Sequence, residues 1–444
     1  MLGVSVYTFC FCWITYMMYK RKGLSSSVFL FLLYAFSAVT ALGLVALDFY
    51  GTNPKIQSYD SGALFLLVAL FLFLYPFYNV DDGHIKCMCI PDRRVLDVFA
   101  ILLTALSLFS VIYFIPIAAE MMFVDVDEVY ELRVAVARGE NPFITPTIYN
   151  TIAGTAATFY SVQQLLFFIY IIREHRRGYV KWFNWLILLS SFSYPVFVLA
   201  YMGRDGVVFW LMTFISMLLL FKNFIHEDLA MKIKKAALYI MLPFAVVLVF
   251  ITVGRFVVRG PEGGHGLLFS ILNYFGQGPV NFTEIYDTDV RAMGFGKNVF
   301  PLIFGEQRVD LRYQLNQYGL VPWVFKTFVY NIYNDFGSFY TLLIGLGMAL
   351  VYKFTFVEDR MKRTFSFQFV LLYTLFFTIY SQGLFYFRQY NKVGNLYIIT
   401  LLLLAFVFLF VKQEKVYVFP LTNQVDEEAS VNSDVETKEE SKGV

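Results

Sequence analysis

A charged pair stands between two long apolar runs of the sequence, in the stretch YMGRDGVVFW (201–210). Arg204 and Asp205 lie between Gly203 and Gly206, in a turn too short to form a domain. A guanidinium can bind phosphate or carboxylate through two parallel hydrogen bonds, and a carboxylate can take a proton from an attacking hydroxyl. The glycines suit a tight turn and let a ligand approach the backbone closely. The stretch predicts a catalytic site, with a salt-bridged anchor of the hairpin as the alternative.

Four further arginines come later in the chain. Arg255 and Arg259 are four residues apart in VGRFVVRGPEGGHG, so a continuing helix would place both on one face. Arg291 and Arg308 follow in the same polar segment. We expect these side chains to bind phosphate or carboxylate groups, because the planar guanidinium matches their geometry. Local salt bridges are the structural alternative.

Aspartates provide further candidates for proton transfer and metal binding. Asp335 lies in NIYNDFGSFY, where it could act as a general base or, alternatively, cap a helix. Asp287 and Asp289 have a D-x-D spacing with which many sugar transferases hold a divalent metal, but this spacing is common by chance. The sequence therefore predicts no metal and no other cofactor.

Aromatic side chains accompany these charges. Tyr274, Tyr286 and Tyr333 could anchor the chain at a membrane surface, where tyrosine is enriched, or could stack on a ligand.

Apolar helices must position these residues. The chain has 444 residues, of which 58% are hydrophobic and only 15% are charged, whereas soluble domains carry about a quarter charged residues. Apolar runs of about 20 residues recur, which is the length that crosses ~30 Å of hydrocarbon. The sequence predicts an all-α, polytopic integral membrane protein with about eleven transmembrane helices. The predicted spans are roughly 2–19, 25–49, 61–79, 95–117, 149–172, 182–201, 206–222, 236–254, 337–356, 365–383 and 393–411.

The loops between these spans predict an orientation. Clusters of lysine and arginine fall in short loops on one side, so we expect the N-terminus outside and the C-terminus in the cytoplasm. The membrane domain is predicted to cover 1–415, with an outer loop at 118–148 and a large outer loop at 255–336. The tail 416–444 is acidic and is predicted to be disordered and cytoplasmic.

The order of the motifs resembles that of the bacterial oligosaccharide repeat-unit polymerases, the O-antigen polymerase (Wzy-type) family. The resemblance rests on MGRDG (202–206), LNYFGQGPVNFTEIYD (272–287) and NIYNDFGSFYTLLIGLGMAL (331–350), in that order. Two departures are Met202–Gly203, where the family often has a serine, and a span count below the family's usual one. Outside this middle part, the resemblance consists of generic spans.

The resemblance implies a glycosyltransferase of the cell envelope in the bacterial cytoplasmic (inner) membrane. It would join polyprenyl-pyrophosphate-linked oligosaccharides into a surface polysaccharide, such as O-antigen, capsule or exopolysaccharide, at the outer membrane face. The lipid pyrophosphate, such as undecaprenyl pyrophosphate, carries the activation, so no nucleotide is needed. The resemblance implies that its diphosphate is bound by Arg255, Arg259, Arg291 and Arg308, and that sugar rings stack on Tyr274, Tyr286 and Tyr333. The implied partners are this lipid-linked oligosaccharide, membrane lipid, a flippase and a chain-length regulator, but no nucleic acid.

Three other functions remain open from the sequence. The first is a flippase or transporter of the lipid-linked oligosaccharide, and the second is a metal-dependent lipid-sugar glycosyltransferase. The third is a receptor or scaffold without enzymatic activity. A transporter would need polar groups inside the spans, which the sequence places mainly at their ends.

Overall fold

The computed structural model describes residues 1–47, 60–122, 147–175, 181–201, 203, 205–225, 228–239, 242, 267–306, 311–320, 325–355 and 363–418. Helices make up most of these residues, in agreement with the predicted all-α class. The helices are α1 (Leu2–Lys22), α2 (Ser26–Ala46), α3 (Asp60–Asn79), α4 (Arg93–Met122), α5 (Ile148–Thr158), α6 (Tyr160–His175), α7 (Trp182–Ser190), α8 (Ser193–Ala200), α9 (Asp205–Phe221), α10 (Leu267–Thr288), α11 (Pro301–Phe304), α12 (Arg312–Gln317), α13 (Thr327–Thr355), α14 (Phe367–Gln382) and α15 (Lys392–Val407). A further helical segment covers 228–239.

The long helices are apolar enough for a membrane protein. Within the described residues, seven helical segments could cross a membrane by length and composition, or eight if the bent pair α5–α6 is one span. Helices α14 and α15 are also apolar but shorter. The count of eleven spans stays a prediction, because most of the expected span at 236–254 lies outside the described residues.

A small β-sheet marks one end of the helix bundle, which we call the sheet end. Its strands are β1 (Cys87–Pro91), β2 (Thr364–Phe365) and β3 (Gln413–Tyr417), in the order β2-β1-β3. Strand β1 runs parallel to β2 and antiparallel to β3. Residues 416 and 417 of the predicted tail therefore belong to the sheet, while 419–444 lie outside the described residues.

Buried charges hold helices together at the sheet end. The Asp82 carboxylate is 1% exposed and accepts hydrogen bonds from the backbone N–H and the hydroxyl of Ser27, both at 2.6 Å. The Lys22 ammonium donates to the carbonyl of Tyr78 at 2.8 Å. These contacts provide partners for the free backbone N–H groups where α2 begins and the free carbonyls where α3 ends.

The opposite end of the bundle carries the candidate site, and we call it the cavity end. The N-terminal ammonium lies there, 3.1 Å from the Asp60 carboxylate at the start of α3. The N-terminus and strand β3 are therefore at opposite ends of the bundle. Which end faces the cytoplasm stays a prediction.

Helices α10 and α13 form much of the described part of the predicted loop 255–336. Helix α10 packs along α2 and α3. A Cβ added to Gly276 would lie 2.6 Å from the backbone N of Ala41, so only glycine permits this approach. Helix α13 is interrupted at Gly337, whose φ of 76° lies in the left-handed region. Most of the predicted loop 118–148 lies outside the described residues.

Candidate ligand-binding cavity

Two interrupted helices meet at the cavity end. Helices α5 and α6 are joined with a bend of 50°. Between α7 and α8, the Ser191 hydroxyl donates to the Leu188 carbonyl at 2.6 Å, and Pro195 supplies no N–H to continue the helical ladder. Backbone breaks within a membrane are tolerated where they line a cavity or are buried in protein.

The loop between α14 and α15, residues 383–391, is the third wall of the site. Its backbone pairs with the start of α13: Lys326 N–H donates to the Phe385 carbonyl at 2.9 Å, and Phe328 N–H donates to the Gly383 carbonyl at 2.8 Å. The Asn331 side chain accepts a hydrogen bond from the Phe387 N–H at 3.2 Å. The segment NIYNDFG, identified from the sequence as a motif, therefore helps to position this loop.

These walls enclose a cavity of about 200 Å³. Its lining is rich in hydroxyl, amide and guanidinium groups. The polar residues of the lining are Asn150, Thr151, Thr158, Tyr160, Tyr194, Tyr201, Thr378, Gln382, Arg388, Gln389, Asn391 and Tyr397. A cavity with this chemistry suits a polar ligand with many oxygen atoms.

Arg388 supplies the positive charge of the cavity. Its Cζ lies 5.9 Å from the ring centroid of Tyr386, and the Tyr386 hydroxyl donates to Asp205 Oδ2 at 2.6 Å. Arg388 also interacts electrostatically with Asp205 and Tyr194. No carboxylate of the described residues forms an ion pair with it. A partly buried cation without an ion-pair partner favours the binding of an anion.

The state of Tyr386 supports this arrangement. Burial raises the pKa of Tyr386 well above its ordinary value, although the nearby Arg388 opposes the shift. The phenol therefore stays protonated at neutral pH and can donate to Asp205. Asp205 is thereby connected to Arg388 through one aromatic side chain.

A buried amide oxygen in the cavity lining lacks a hydrogen-bond partner. Within the described residues this atom is Gln389 Oε1, whereas the buried Tyr194 hydroxyl lies within hydrogen-bonding reach of the Arg388 side chain. Gln389 Nε2 donates to Gln382 Oε1 at 2.7 Å, and Gln382 Nε2 donates to the Tyr160 hydroxyl at 3.1 Å. A ligand with both donors and acceptors would complete this network.

Of the charged pair Arg204 and Asp205, only Asp205 can be located beside this site. Asp205 begins α9, whereas Arg204 lies outside the described residues. The close turn predicted from the glycines is present: Gly203 N–H donates to the Val198 carbonyl at 2.8 Å. A Cβ on Gly203 or Gly206 would lie 2.5 or 2.7 Å from Val198 side-chain atoms. The predicted diphosphate ligands Arg255, Arg259 and Arg308 also lie outside the described residues.

Asp335, the second predicted base, is instead enclosed by hydrogen-bond donors. Its carboxylate is fully buried and accepts from the backbone N–H groups of Gly296, Asn298 and Val299 at 3.0 to 3.1 Å. The Asn298 side chain donates to the other oxygen at 2.8 Å. Because both oxygens are occupied, this geometry indicates a positioning role and disfavours general-base catalysis.

Asp335 is nevertheless connected to the cavity wall. The loop that it holds ends at Val299, whose carbonyl accepts a hydrogen bond from Asn395 Nδ2 at 3.0 Å. The same amide donates to the Gln389 carbonyl at 2.7 Å. Asp335 thus supports Gln389 through two intermediate residues.

Arg291 belongs to a different cluster, which we call the arginine–tyrosine cluster: Tyr286, Asp289, Arg291 and Tyr333. Arg291 Nη2 forms an ion pair with Asp289 at 2.7 Å, and its Cζ lies 5.4 Å from the Tyr333 ring centroid. Gly337 admits this side chain, since a Cβ there would lie 2.7 Å from Arg291 Nη1. Three predicted site residues therefore lie together, but the arginine already has a carboxylate partner.

The three tyrosines predicted to bind sugars pack against other aromatic rings. Tyr274 contacts Phe325 and Phe385, with centroids 5.6 and 5.3 Å apart. Tyr286 lies 4.8 Å from Phe65 and 5.2 Å from Tyr333. None of the three tyrosines lines the polar cavity.

The two aspartates of the D-x-D motif have separate partners. Asp287 accepts a hydrogen bond from the Ser61 hydroxyl, and burial raises the pKa of its carboxyl. Asp289 pairs with Arg291. In the part of the chain that the structure describes, no group of three histidine, cysteine, aspartate or glutamate side chains could hold a metal ion.

The main cavity residues are not among the site residues predicted from the sequence. Arg388, Gln382 and Gln389 lie in SQGLFYFRQYNKVGN (381–395), a dense set of polar residues between two apolar helices. That density was the available signal, since polar groups at membrane depth are costly and mark functional sites. Tyr160 and Tyr194 gave no such signal because the chain has 31 tyrosines.

Comparison with known proteins found no match: no protein-family model, no curated protein and no solved structure is significantly similar to this chain. The resemblance to the O-antigen polymerases therefore stays a prediction. The cavity geometry alone must support a functional proposal.

Proposed function

We propose that this protein is a membrane glycosyltransferase that polymerises oligosaccharides carried on a lipid diphosphate. The observation that carries the proposal is Arg388, which faces a polar cavity without an ion-pair partner among the described residues. The cavity offers a cation for a diphosphate and hydroxyl and amide groups for a sugar. Its position at the ends of apolar helices suits a substrate that is held in a membrane by its lipid.

The proposed reaction is the attack of an acceptor hydroxyl on the anomeric carbon of the donor sugar. The new carbon–oxygen bond forms as the bond to the diphosphate oxygen breaks, and the lipid diphosphate leaves with the electron pair. Arg388 stabilises the developing negative charge, an effect worth ~3 kcal/mol for one well-placed donor. Arg204, adjacent in sequence to Asp205, remains a second candidate for this role.

The acceptor proton requires a base. Asp205 is the carboxylate that interacts with Arg388, and Tyr386 donates to it at 2.6 Å. We assign Asp205 as the final proton acceptor and the Tyr386 hydroxyl as the relay; both adjoin Arg388, and neither is part of the cavity lining itself. The buried Asp335 holds the loop behind Gln389 and takes no proton in this scheme.

Transport of the lipid-linked oligosaccharide is the second candidate function. The specific observation in its favour is the pair of interrupted helices at the cavity, a feature typical of transporter binding sites. The described spans also bury more polar groups than the sequence suggested, including Gln163 and Gln164. Transport and polymerisation would use the same cavity but give different products.

A gel of surface polysaccharide from a strain that lacks the gene separates these functions. Polymerisation predicts loss of the polymer ladder while single repeat units still reach the surface, with restoration by the wild-type gene. Transport predicts that single units accumulate on the cytoplasmic leaflet. Unchanged glycans would contradict both functions and favour a receptor or scaffold, whereas loss of activity with chelators would favour a metal-dependent transferase.

A further inference from the structure

A second and larger cavity lies between helices α3, α13, α14 and α15. Its volume is about 450 Å³, within the range of ligand pockets in proteins. Aliphatic and aromatic side chains make up almost all of its lining. We call it the apolar groove.

The packing of the helices explains why the groove exists. At the cavity end, α13 is tied to the loop before α15 through the hydrogen bonds of Lys326 and Phe328. Beyond Gly337, α13 follows α3, where Gly345 packs against Leu72 and Phe73. Helices α14 and α15 pack on each other instead. The two helix pairs therefore leave a gap along their length.

The groove runs most of the way through the bundle and opens at its side. Its lining extends from Val299 and Phe387 near the cavity end to Val80 at the sheet end. Val351 and Leu402, which line it, are 64% and 45% exposed. In a membrane these openings face hydrocarbon, so a lipid chain could enter from the bilayer.

The groove and the polar cavity lie on two sides of the same loop. Phe387 lines the groove, whereas Arg388, the next residue, lines the polar cavity. Asn395 lines the groove and donates a hydrogen bond to the carbonyl of Gln389, which lines the cavity. An apolar site therefore adjoins a cationic polar site, which is the pattern that one amphipathic anion requires.

We infer that the apolar groove binds the isoprenoid chain of the lipid whose diphosphate enters the polar cavity. This inference rests on the proposed function. It adds a binding site for the isoprenoid chain, with α13 on one side and α14 and α15 on the other. The isoprenoid chain enters the groove laterally from the membrane. The diphosphate therefore reaches Arg388 without leaving the bilayer surface.

Photocrosslinking tests the inference. The probe is a polyprenyl diphosphate that carries a diazirine on its isoprenoid tail. It is added to the full-length protein in phosphatidylcholine nanodiscs. Crosslinks should map to groove residues such as Ile344, Met348 and Ile398. Crosslinks scattered over the exposed helix surfaces would overturn the inference, as would equal labelling of the groove by phosphatidylglycerol with the same diazirine.

Filling the groove provides a second readout. Met348→Trp should lower the crosslinking yield about tenfold by overpacking the site, and Ile398→Trp tests the opposite wall if the first variant folds poorly. Leu346→Trp is the matched control, because Leu346 is 42% exposed on the same helix and does not line the groove. Equal yields from all variants would contradict the inference.

The two experiments together distinguish failure of the groove inference from failure of the proposed polymerase function. If the wild-type protein crosslinks in the groove but the deletion strain still makes its polymer ladder, the groove is a lipid site and the polymerase proposal fails. If the ladder is lost but the groove is not labelled, the polymerase proposal stands and the groove inference fails, because the isoprenoid chain then binds elsewhere.

Discussion

Two arginines of this protein lie in contrasting surroundings. Arg388 lines the polar cavity and lies near the ring of Tyr386, whose hydroxyl donates a hydrogen bond to Asp205. Arg291 forms a direct ion pair with Asp289, whose side chain is 67% exposed. Both arginines pack near tyrosine rings, so aromatic contacts do not distinguish them.

The difference shows that the ion-pair partner of an arginine matters more for ligand binding than the place of the arginine in a sequence motif. A guanidinium that already holds a carboxylate must lose that partner before it binds a phosphate. An arginine without an ion pair in a partly buried site gains more from an incoming anion. The sequence placed Arg291 among the expected diphosphate ligands and did not select Arg388, whereas the geometry favours Arg388.

Replacement of Arg388 should have the largest effect. Arg388→Ala should lower the rate of polymer formation by about 100-fold or more, because the leaving diphosphate loses its cation. Arg388→Lys should restore only part of the rate, since lysine cannot form the bidentate contact. The measurement is the polymer yield in membranes that contain equal amounts of each variant. Arg93→Ala is the control, because Arg93 is exposed and pairs with Asp97 at the sheet end. Equal rates for Arg388→Ala and Arg93→Ala would remove the cavity from the mechanism.

Asp335 and Asp289 also differ in their surroundings, so replacing each one should change the stability of the protein by a different amount. Asp335→Ala should lower the free energy of unfolding by roughly 3 kcal/mol or more, because three backbone N–H groups and the Asn298 amide lose a charged acceptor. Asp289→Ala should cost less than about 1 kcal/mol, because its ion pair is exposed. Denaturation of the purified variants measures both values. Similar losses would show that Asp335 is less important to the fold than its hydrogen bonds indicate.

A buried lysine beside the cavity loop predicts a dependence on pH. Lys326 is 6% exposed, and burial lowers its pKa from 10.5 to about 8. Between these values the unfolded chain binds a proton that the folded chain does not, so stability should rise with pH. The gain from pH 8 to pH 9.5 should be about 1.5 kcal/mol. Lys326→Met should lack this part of the rise in thermal unfolding. An identical pH profile for both proteins would show that Lys326 has an ordinary pKa.

The smallest effect should come from the arginine–tyrosine cluster. Arg291→Ala removes one partly exposed ion pair and one contact with Tyr333, so it should change stability by less than about 1 kcal/mol. Polymer yield should change by less than about threefold. A loss of yield as large as that of Arg388→Ala would restore Arg291 as a diphosphate ligand and reverse the comparison.

Much of the fold followed from local patterns in the sequence. Apolar runs identified the long helices, and glycines identified the close turn at Gly203 and Gly206. The break in α13 falls at Gly337, where the expected span begins. These features depend on residues that are near in sequence, so local chemistry is sufficient to predict them.

The cavity could not be predicted in the same way. Its walls bring together residues of α5, α8, α14 and the loop before α15, and their proximity depends on packing between distant spans. The bend between α5 and α6 contains no proline or glycine to indicate it. The donors around Asp335 come from residues 296–299, almost forty positions away, so the sequence suggested only a general base or a helix cap.

Binding of a lipid diphosphate tests the central claim most directly. The purified chain in phosphatidylcholine nanodiscs would be titrated with a short-chain polyprenyl diphosphate. The cavity assignment predicts saturable binding that Arg388→Ala weakens about 10-fold to 100-fold, as expected for lost hydrogen bonds to a charged group, while Arg291→Ala binds like the wild type. Equal affinities for wild type and Arg388→Ala would contradict the assignment of the polar cavity as the diphosphate site.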